Sequence, residues 1–300
     1  SDKRYVSLDV AYGIRARVHL TMHNYADALK DAEAALASTS SVPYSSAAVS
    51  KPTFIDIEDA SWMWGILITD KDRVSTTGIC NFPSHMGSLN YGYASVGGWR
   101  RISPKLYNQI PESDVRKGWF LDDTGVSVNL PAAAQAYITK KGAPVYTQVK
   151  YGPMNDEWGS NNNATDVILM RVEEMYLIKA EAQAMNNDVS GGVNTLNSFV
   201  NTYRDPSYKC TATTGEAVQE AVWHQRRIEF WGEGLAYFDI MRLNKGVNRL
   251  GCGFPKTAVF NIAAGDPVQI YSIPNKEVQY NPLLENNPLV SAPTPIPDEE

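Results

Sequence analysis

Cysteine is scarce: Cys80, Cys210 and Cys252 are far apart and show no Cys-x-x-Cys spacing. That argues against a zinc site and against a disulfide scaffold. Free buried thiols are the reading, with one bridge, Cys210 to Cys252, left open for an oxidising compartment. Only four histidines occur. His19 and His23, four apart, fit one helical face, but Leu20 stands where a metalloprotease helix carries glutamate, so no metal site is predicted. Positive charge is in deficit, with 27 Lys plus Arg against 33 Asp plus Glu, a net charge of -6 and no long basic run, which argues against a nucleic-acid partner. No run of about 18 apolar residues is present, so no bilayer-spanning helix is predicted. Walker A and dinucleotide fingerprints are missing, and no cofactor is predicted. In "YASVG" at 93–97, Tyr93 stands where a nucleophile elbow needs glycine. No signal peptide opens the chain, and Ser1 lies a few residues before the first helical pattern, as in a mature fragment.

What is present supports a sizeable core: 300 residues, 43% of them hydrophobic. Residues 5–37 predict two helices joined at His23 and Asn24. Tyr5, Leu8, Tyr12, Ala16 and Leu20 recur at helical spacing on the first, and Tyr25, Leu29, Ala32 and Leu36 on the second. Small residues at Ala16, Ala28 and Ala35 among larger ones match one tetratricopeptide unit, in which paired helices approach closely. From Ser38 to about Asn163 the composition turns to Pro, Gly, Ser and Asn. Here "SWMWGILIT" predicts a short buried strand with Trp62, Trp64, Ile66 and Ile68 on one side, and Ser103–Pro104 starts a short helix. Helical periodicity returns at Asp166, continues in a second helix from "GGVNTLNSFVNTYR", and reaches a third capped at Thr214. Past 244–246 the chain reads as irregular, and the proline-rich last 30 residues as extended. The organisation is therefore a helix pair at 1–40, a loop-rich insertion at 41–163, a helical core at 164–250 and an extended segment at 251–300.

Chemistry-bearing patterns are few. The acidic pairs Asp122–Asp123 and Asp156–Glu157 sit in loops, and adjacency in sequence does not supply the separation of about 5 to 9.5 Å that glycoside hydrolysis needs between its carboxylates. Two loops stand out. Residues 82–99 hold Phe82, Tyr91, Tyr93 and Trp99 among small residues, and 155–163 set Trp158 among asparagines. Sugars present apolar C–H faces and rings of hydroxyls, so flat rings beside amides suit them. On ring chemistry the candidate ligand residues are Trp99, Tyr91, Tyr93, Trp158 and Phe82 as platforms, with Asn90 and Asn161 as hydrogen-bonding groups. The competing reading is that the rings clamp long loops onto helices. No catalytic residue is assigned.

In "RRIEFWGEGLAYFD" at 226–239 the two glycines cost a helix roughly 1 kcal/mol each, which predicts a break or a close backbone approach. Glu229 and Glu233, four apart, with Arg226 three before Glu229, predict an internal ion-pair network.

Three separated segments resemble the C-terminal part of the SusD/RagB family. "DVILMRVEEMYLIKAEA" at 166–182 carries Arg171, Glu174, Ala180, Glu181 and Ala182 of the family helix. "QRRIEFWGEGLAYFDIMR" at 225–242 matches at Arg226, Arg227, Glu229, Glu233, Gly234, Phe238, Asp239 and Arg242. "IPNKEVQYNPLLENNP" at 273–288 matches at Ile273, Pro274, Glu277, Asn281, Pro282, Leu284, Asn287 and Pro288, and "ARVHL" at 16–20 fits the upstream helix. Gln225, Ala236, Asn286 and Leu289 depart from the pattern. The resemblance implies an all-α fold of tetratricopeptide-like helix pairs with long irregular loops. It implies a non-enzymatic glycan-binding lipoprotein of the outer membrane, exposed on the cell surface beside a TonB-dependent, SusC-like transporter. Membrane attachment would come only through an N-terminal lipid anchor, which, with a further helical region, lies outside this chain. A tetratricopeptide-type protein scaffold without glycan binding, and a glycoside hydrolase, are the competing functions.

Overall fold

Alanine decides the first contact of the fold. In the computed structural model, which describes residues 2–72, 81–288 and 290–293, the first two helices are α1 (Leu8–Thr21) and α2 (Tyr25–Ser38). Ala16, Ala28, Ala32 and Ala35 are all fully buried between them and their neighbours, so the helices approach closely, as the small-residue pattern predicts. His23 lies outside α1 in the connecting turn, with φ of 60°, so the two histidines do not share a helix face. Cys80 lies outside the described residues; Cys210 is free and buried, and Cys252 is free and half-buried.

The chain forms two compact units, one of residues 1–102 and 106–234, the other of 103–105 and 235–300. After α2 the first unit carries short elements: α3 (Ser46–Val49), β1 (Trp62–Ile66) and α4 (Phe82–Met86). Next come α5 (Pro104–Tyr107), at the division between the units, and the nine-residue α6 (Ala132–Lys140). Then β2 (Val167–Arg171) leads directly into α7 (Val172–Met185), α8 (Val189–Tyr203) and α9 (Gly215–Glu229). α7 is the hub, in contact with α1, α2, α8 and α9, and ten of its fourteen residues are buried. Arg17 of α1 reaches it through Glu174, with Nε donating to both carboxylate oxygens at 2.9 Å. The described chain is mostly helical, as predicted.

Three expectations are corrected. The helical pattern from Asp166 opens as a strand, because β2 pairs antiparallel with β1 and Asp166 accepts the backbone N–H groups of Ile57 and Ile68. The alternation of Trp62, Trp64, Ile66 and Ile68 does not hold one face, since the register shifts at Trp62/Trp64 and Trp64/Gly65. Trp62 is fully buried with its Nε1–H donating to the Tyr44 hydroxyl at 2.7 Å, Trp64 is half-buried against the α1–α2–α7 core, and Ile66 is exposed. The loop region also has a core of its own. Tyr44, Phe54, Trp62, Trp119, Phe120 and Tyr151 are buried together there, which accounts for much of its aromatic excess.

The glycine break falls just past the C-terminal end of the third predicted helix, α9. α9 stops at Glu229, and Gly232 and Gly234 adopt φ of 80° and 83°, a region that side-chain-bearing residues rarely enter. Glu229 and Glu233 therefore do not share a helix face, yet both meet Arg171. Its Nη1 donates to Glu229 at 2.6 Å and its Nε to Glu233 at 2.9 Å. Arg204 donates to both oxygens of Glu229 at 2.8 Å and to Glu173 at 3.1 Å. Arg116 adds a bond to Glu229 at 3.1 Å, a pair with Asp114, and a 2.5 Å bond to the Gln225 carbonyl. Lys150 donates to Glu233 at 2.5 Å. Burial pulls its ammonium down to about 8 despite the nearby Glu233. Four cations thus face the four carboxylates of Asp114, Glu173, Glu229 and Glu233, all buried. An internal ion network is present as expected, but with other partners: Arg171, Arg204 and Arg116 meet Glu229, while Arg226, the arginine expected from spacing, lies 3.9 Å from Glu174.

In the second unit, α10 (Ala236–Arg242) carries an Asp239–Arg242 pair at 2.9 Å, and β3 (Val247–Asn248) pairs with β4 (Asn261–Ile262). The segment read as extended contains a helix, α11 (Asn275–Tyr280), started behind Pro274. Asn286, a departure from the family pattern, bonds both the N–H and the C=O of Ile273, at 2.8 and 3.1 Å, which closes the segment on itself.

Candidate functional site

The two loops singled out from sequence lie side by side. Tyr91 N–H donates to Ser160 O at 2.7 Å and Gly159 N–H to Leu89 O at 2.8 Å. Asparagine amides complete the join. Asn90 Nδ2 donates to Asn163 Oδ1, Asn163 Nδ2 to Asn161 O and Tyr91 O, and Asn81 Nδ2 to Asn163 O. Asn81 also caps α4 by accepting from Ser84 N–H. Beneath them Leu89, Leu121, Ala134, Ile138 and Val149 form a small core, with Trp99, Trp158 and Tyr137 packed half-buried against it.

This geometry sorts the candidates. Tyr91 and Tyr93 keep 47% and 44% of their surface exposed, and Asn161 is exposed. Trp99 and Trp158 each give one part to the core and leave another accessible. Phe82 is half-buried, edge-on to Tyr151 at 6.0 Å in the aromatic core. Asn90 is buried and its amide bonds to Pro83 O and Asn163, so it orders the loop beneath the surface.

Each exposed ring has a cation near it. Lys141 Nζ lies 5.2 Å from the Tyr91 ring centre and 5.7 Å from that of Tyr137. Tyr93 stacks on His85 with centroids 4.8 Å apart, and Arg100 stands 5.7 Å from it. Such contacts brace the rings, which stay about half exposed. Tyr137 fixes the join from α6: its hydroxyl donates to Asn90 O at 3.0 Å, and its ring lies where a Cβ on Gly159 would fall, 2.6 Å away. Trp158 opens on a recess of about 380 Å³ shared with Lys51, Pro52, Leu130, Pro131 and Asp156.

Sequence reading missed Tyr137 and Lys141. The signal for them was the run "AAAQAYITKK", whose helix formers predict α6 within the loop region and place Tyr137 and Lys141 four apart on one face. Among the described residues no group of three or more His, Cys, Asp or Glu is placed to hold a metal ion, and no helix is long and apolar enough to cross a membrane. Asp122 is engaged in a turn, accepting from Thr124 and Val126 N–H.

Comparison with known proteins adds the family. The SusD family model matches residues 115–289, more than half of the chain. No curated protein matches. Among solved structures, the chain is similar to a SusD superfamily protein from Bacteroides thetaiotaomicron, at 22% identity and a TM-score of 0.75, covering 96% of this chain and 62% of that one. A SusD-like carbohydrate binding protein from Bacteroides vulgatus is 22% identical with a TM-score of 0.65, covering 92% and 51%. A SusD superfamily protein from Bacteroides vulgatus is 20% identical with a TM-score of 0.72, covering 96% and 61%. The chain thus spans about half to three fifths of the length of these neighbours. With the family model extending from Val115 through the buried ion network into the closing segment, the chain belongs to the SusD family.

Proposed function

We propose that this protein binds a glycan, without catalysis, on the face formed by Tyr91, Tyr93, Trp99, Trp158 and Asn161, and delivers it to a TonB-dependent transporter at the bacterial outer membrane. The observation that carries the reading is the joining of the two ring-bearing loops, which leaves Tyr91 and Tyr93 half-exposed and braced by their neighbours. Flat rings flanked by polar groups match the alternating C–H faces and hydroxyls of a sugar chain. One similar structure is described as a carbohydrate binding protein, which agrees. Surface display through an N-terminal lipid anchor belongs to the same proposal.

Isothermal titration against a panel of oligosaccharides tests it. Binding without release of shorter sugars is expected, and replacing Tyr91, Tyr93 or Trp158 by alanine weakens it by about 1 to 3 kcal/mol where the ring is a main platform. A glycan that binds equally well to all three variants moves the site elsewhere, and turnover abolished by changing Asp122 or Glu157 makes the protein a hydrolase. The scaffold reading draws on α1, where Leu8 and Val18 are exposed, and on Met22 just past its end. Capture of the transporter with no affinity for any glycan would favour it.

A further inference from the structure

A second recess, about 490 Å³, lies in the same unit beside the Trp158 recess. Val128 and Asn129 line both, so the two recesses adjoin at these residues. Each volume falls in the range of small-molecule sites. Tyr107 and Tyr146 flank the second recess, their rings 5.1 Å apart and tilted by 57°. Tyr146 holds a φ of 65°, a conformation bulky residues rarely adopt, and two backbone bonds of 3.0 Å, to Leu121 O and from Ile102 N–H, keep it there.

Two polar atoms on the lining have no partner among the described residues. Tyr107 is only 8% exposed and its hydroxyl makes no hydrogen bond. Asn129 is 6% exposed; its Nδ2 donates to Val49 O at 3.1 Å, while its Oδ1 accepts nothing. Neither atom is sealed from solvent, so both stay reachable for a ligand that enters the recess. Charge narrows the ligand. Among the described residues the one cation of the lining is Lys117, bonded to Glu112 at 2.5 Å and standing 5.0 Å from the Tyr107 ring centre, and Asp114 is held by Arg116. Asp122 and Asp123 have no cationic partner among the described residues. Burial would raise Asp122, but hydrogen bonds from Thr124, Val126 and Gly125 outweigh it and keep the group below its usual value, hence ionised. Burial, then Asp122, Glu112 and Asp123, push the Tyr107 phenol up to about 12, so it stays a donor.

We infer that the recess lined by the Tyr107–Tyr146 pair is a second sugar subsite, adjoining the Trp158 recess at Asn129, and that Asp122 and Asp123, which lack a cationic partner among the described residues, select a sugar unit bearing a protonated amine. This rests on the glycan reading and adds the class of glycan. The test is titration with three tetrasaccharides: glucosamine, glucose and galacturonic acid oligomers. Wild-type protein is expected to bind the glucosamine oligomer at least tenfold more tightly than the glucose oligomer and the galacturonate most weakly. Asp123→Lys, at an exposed position, then loses about tenfold on the glucosamine oligomer and less than twofold on the glucose oligomer. Asp122→Asn, which keeps an oxygen to accept the turn N–H groups, loses affinity in the same selective way. Glucose or galacturonate oligomers binding as tightly as glucosamine, or glucosamine affinity indifferent to both variants, overturns the subsite and leaves the glycan reading standing. Binding of no tetrasaccharide overturns both.

Discussion

Glu229 and Tyr91 belong to the same unit, yet their surroundings follow opposite rules. Around Glu229 every charge is matched: three arginines donate to its carboxylate, and four buried cations meet four buried carboxylates. Around Tyr91 the bonds end beneath the surface, in the amides of Asn90 and Asn163, and the ring itself stays half in water. Burial forces the first arrangement, because a charge removed from water must be paired or it costs several kcal/mol. Exposure permits the second, and leaves its rings open to a ligand. The family motif marks the first region, and the candidate site lies in the second.

The contrast is sharpest if it is broken at its centre. Glu229→Ala takes from Arg116, Arg171 and Arg204 the carboxylate they share, and should cost about 3–5 kcal/mol of stability in urea unfolding. A loss under about 1 kcal/mol would mean that the cluster is dispensable. Acid probes the same charges without mutation. Burial would raise the Glu229 carboxyl, but Arg204, Arg171 and Arg116 outweigh it and hold the group well below its ordinary 4.5. Glu233 is lowered likewise, by Arg171 and Lys150 against burial. The unfolded chain then takes up these protons first, so the stability they contribute is full above about pH 4.5 and is lost as pH falls below it. Unfolding midpoints followed from pH 6 to 3 should drop steeply in wild type and less steeply in Glu229→Gln; parallel curves would contradict this.

Under the loop face the expected effects are smaller. Gly159→Ala places a Cβ against Tyr137 at a φ of 83° and should cost about 1–2 kcal/mol, with faster amide exchange at the Tyr91–Ser160 bond. Asn90→Ala, which leaves the Asn163 carbonyl without its donor, should fall near the same size. At the surface, Tyr91→Ala and Tyr93→Ala should change stability by no more than about 0.5 kcal/mol while weakening glycan binding. A large stability loss at either tyrosine would make it a clamp and remove it from the proposed site.

Much of the scaffold was legible. The helix pair at 5–37 rests on local periodicity, and the cap at Thr214 and the break at Gly232 and Gly234 on backbone preferences that need no distant partner. Residues 166–171 were not legible in this way. Apolar periodicity there suits a helix, and only β1, about a hundred residues earlier, makes a strand of it. The same limit governs the site. That both loops bear rings is a property of composition, but Asn90 and Asn161 are the same residue type, and nothing local tells the buried bond-maker from the exposed one. Tyr107 and Tyr146 went unremarked because they come from two strands of chain 39 positions apart that meet only in the folded unit.

By itself the sequence determined the helix pair at the start and the helices after residue 171, the small-residue contacts, the glycine break, the presence of an ion network and the family, since spacing and backbone preference act within a few residues. The partners in that network, the strand pair, and the division of rings and amides between core and surface were decided by tertiary structure. Burial is a property of the whole fold, and whether a polar group is satisfied or left for a ligand depends on which distant segments close over it.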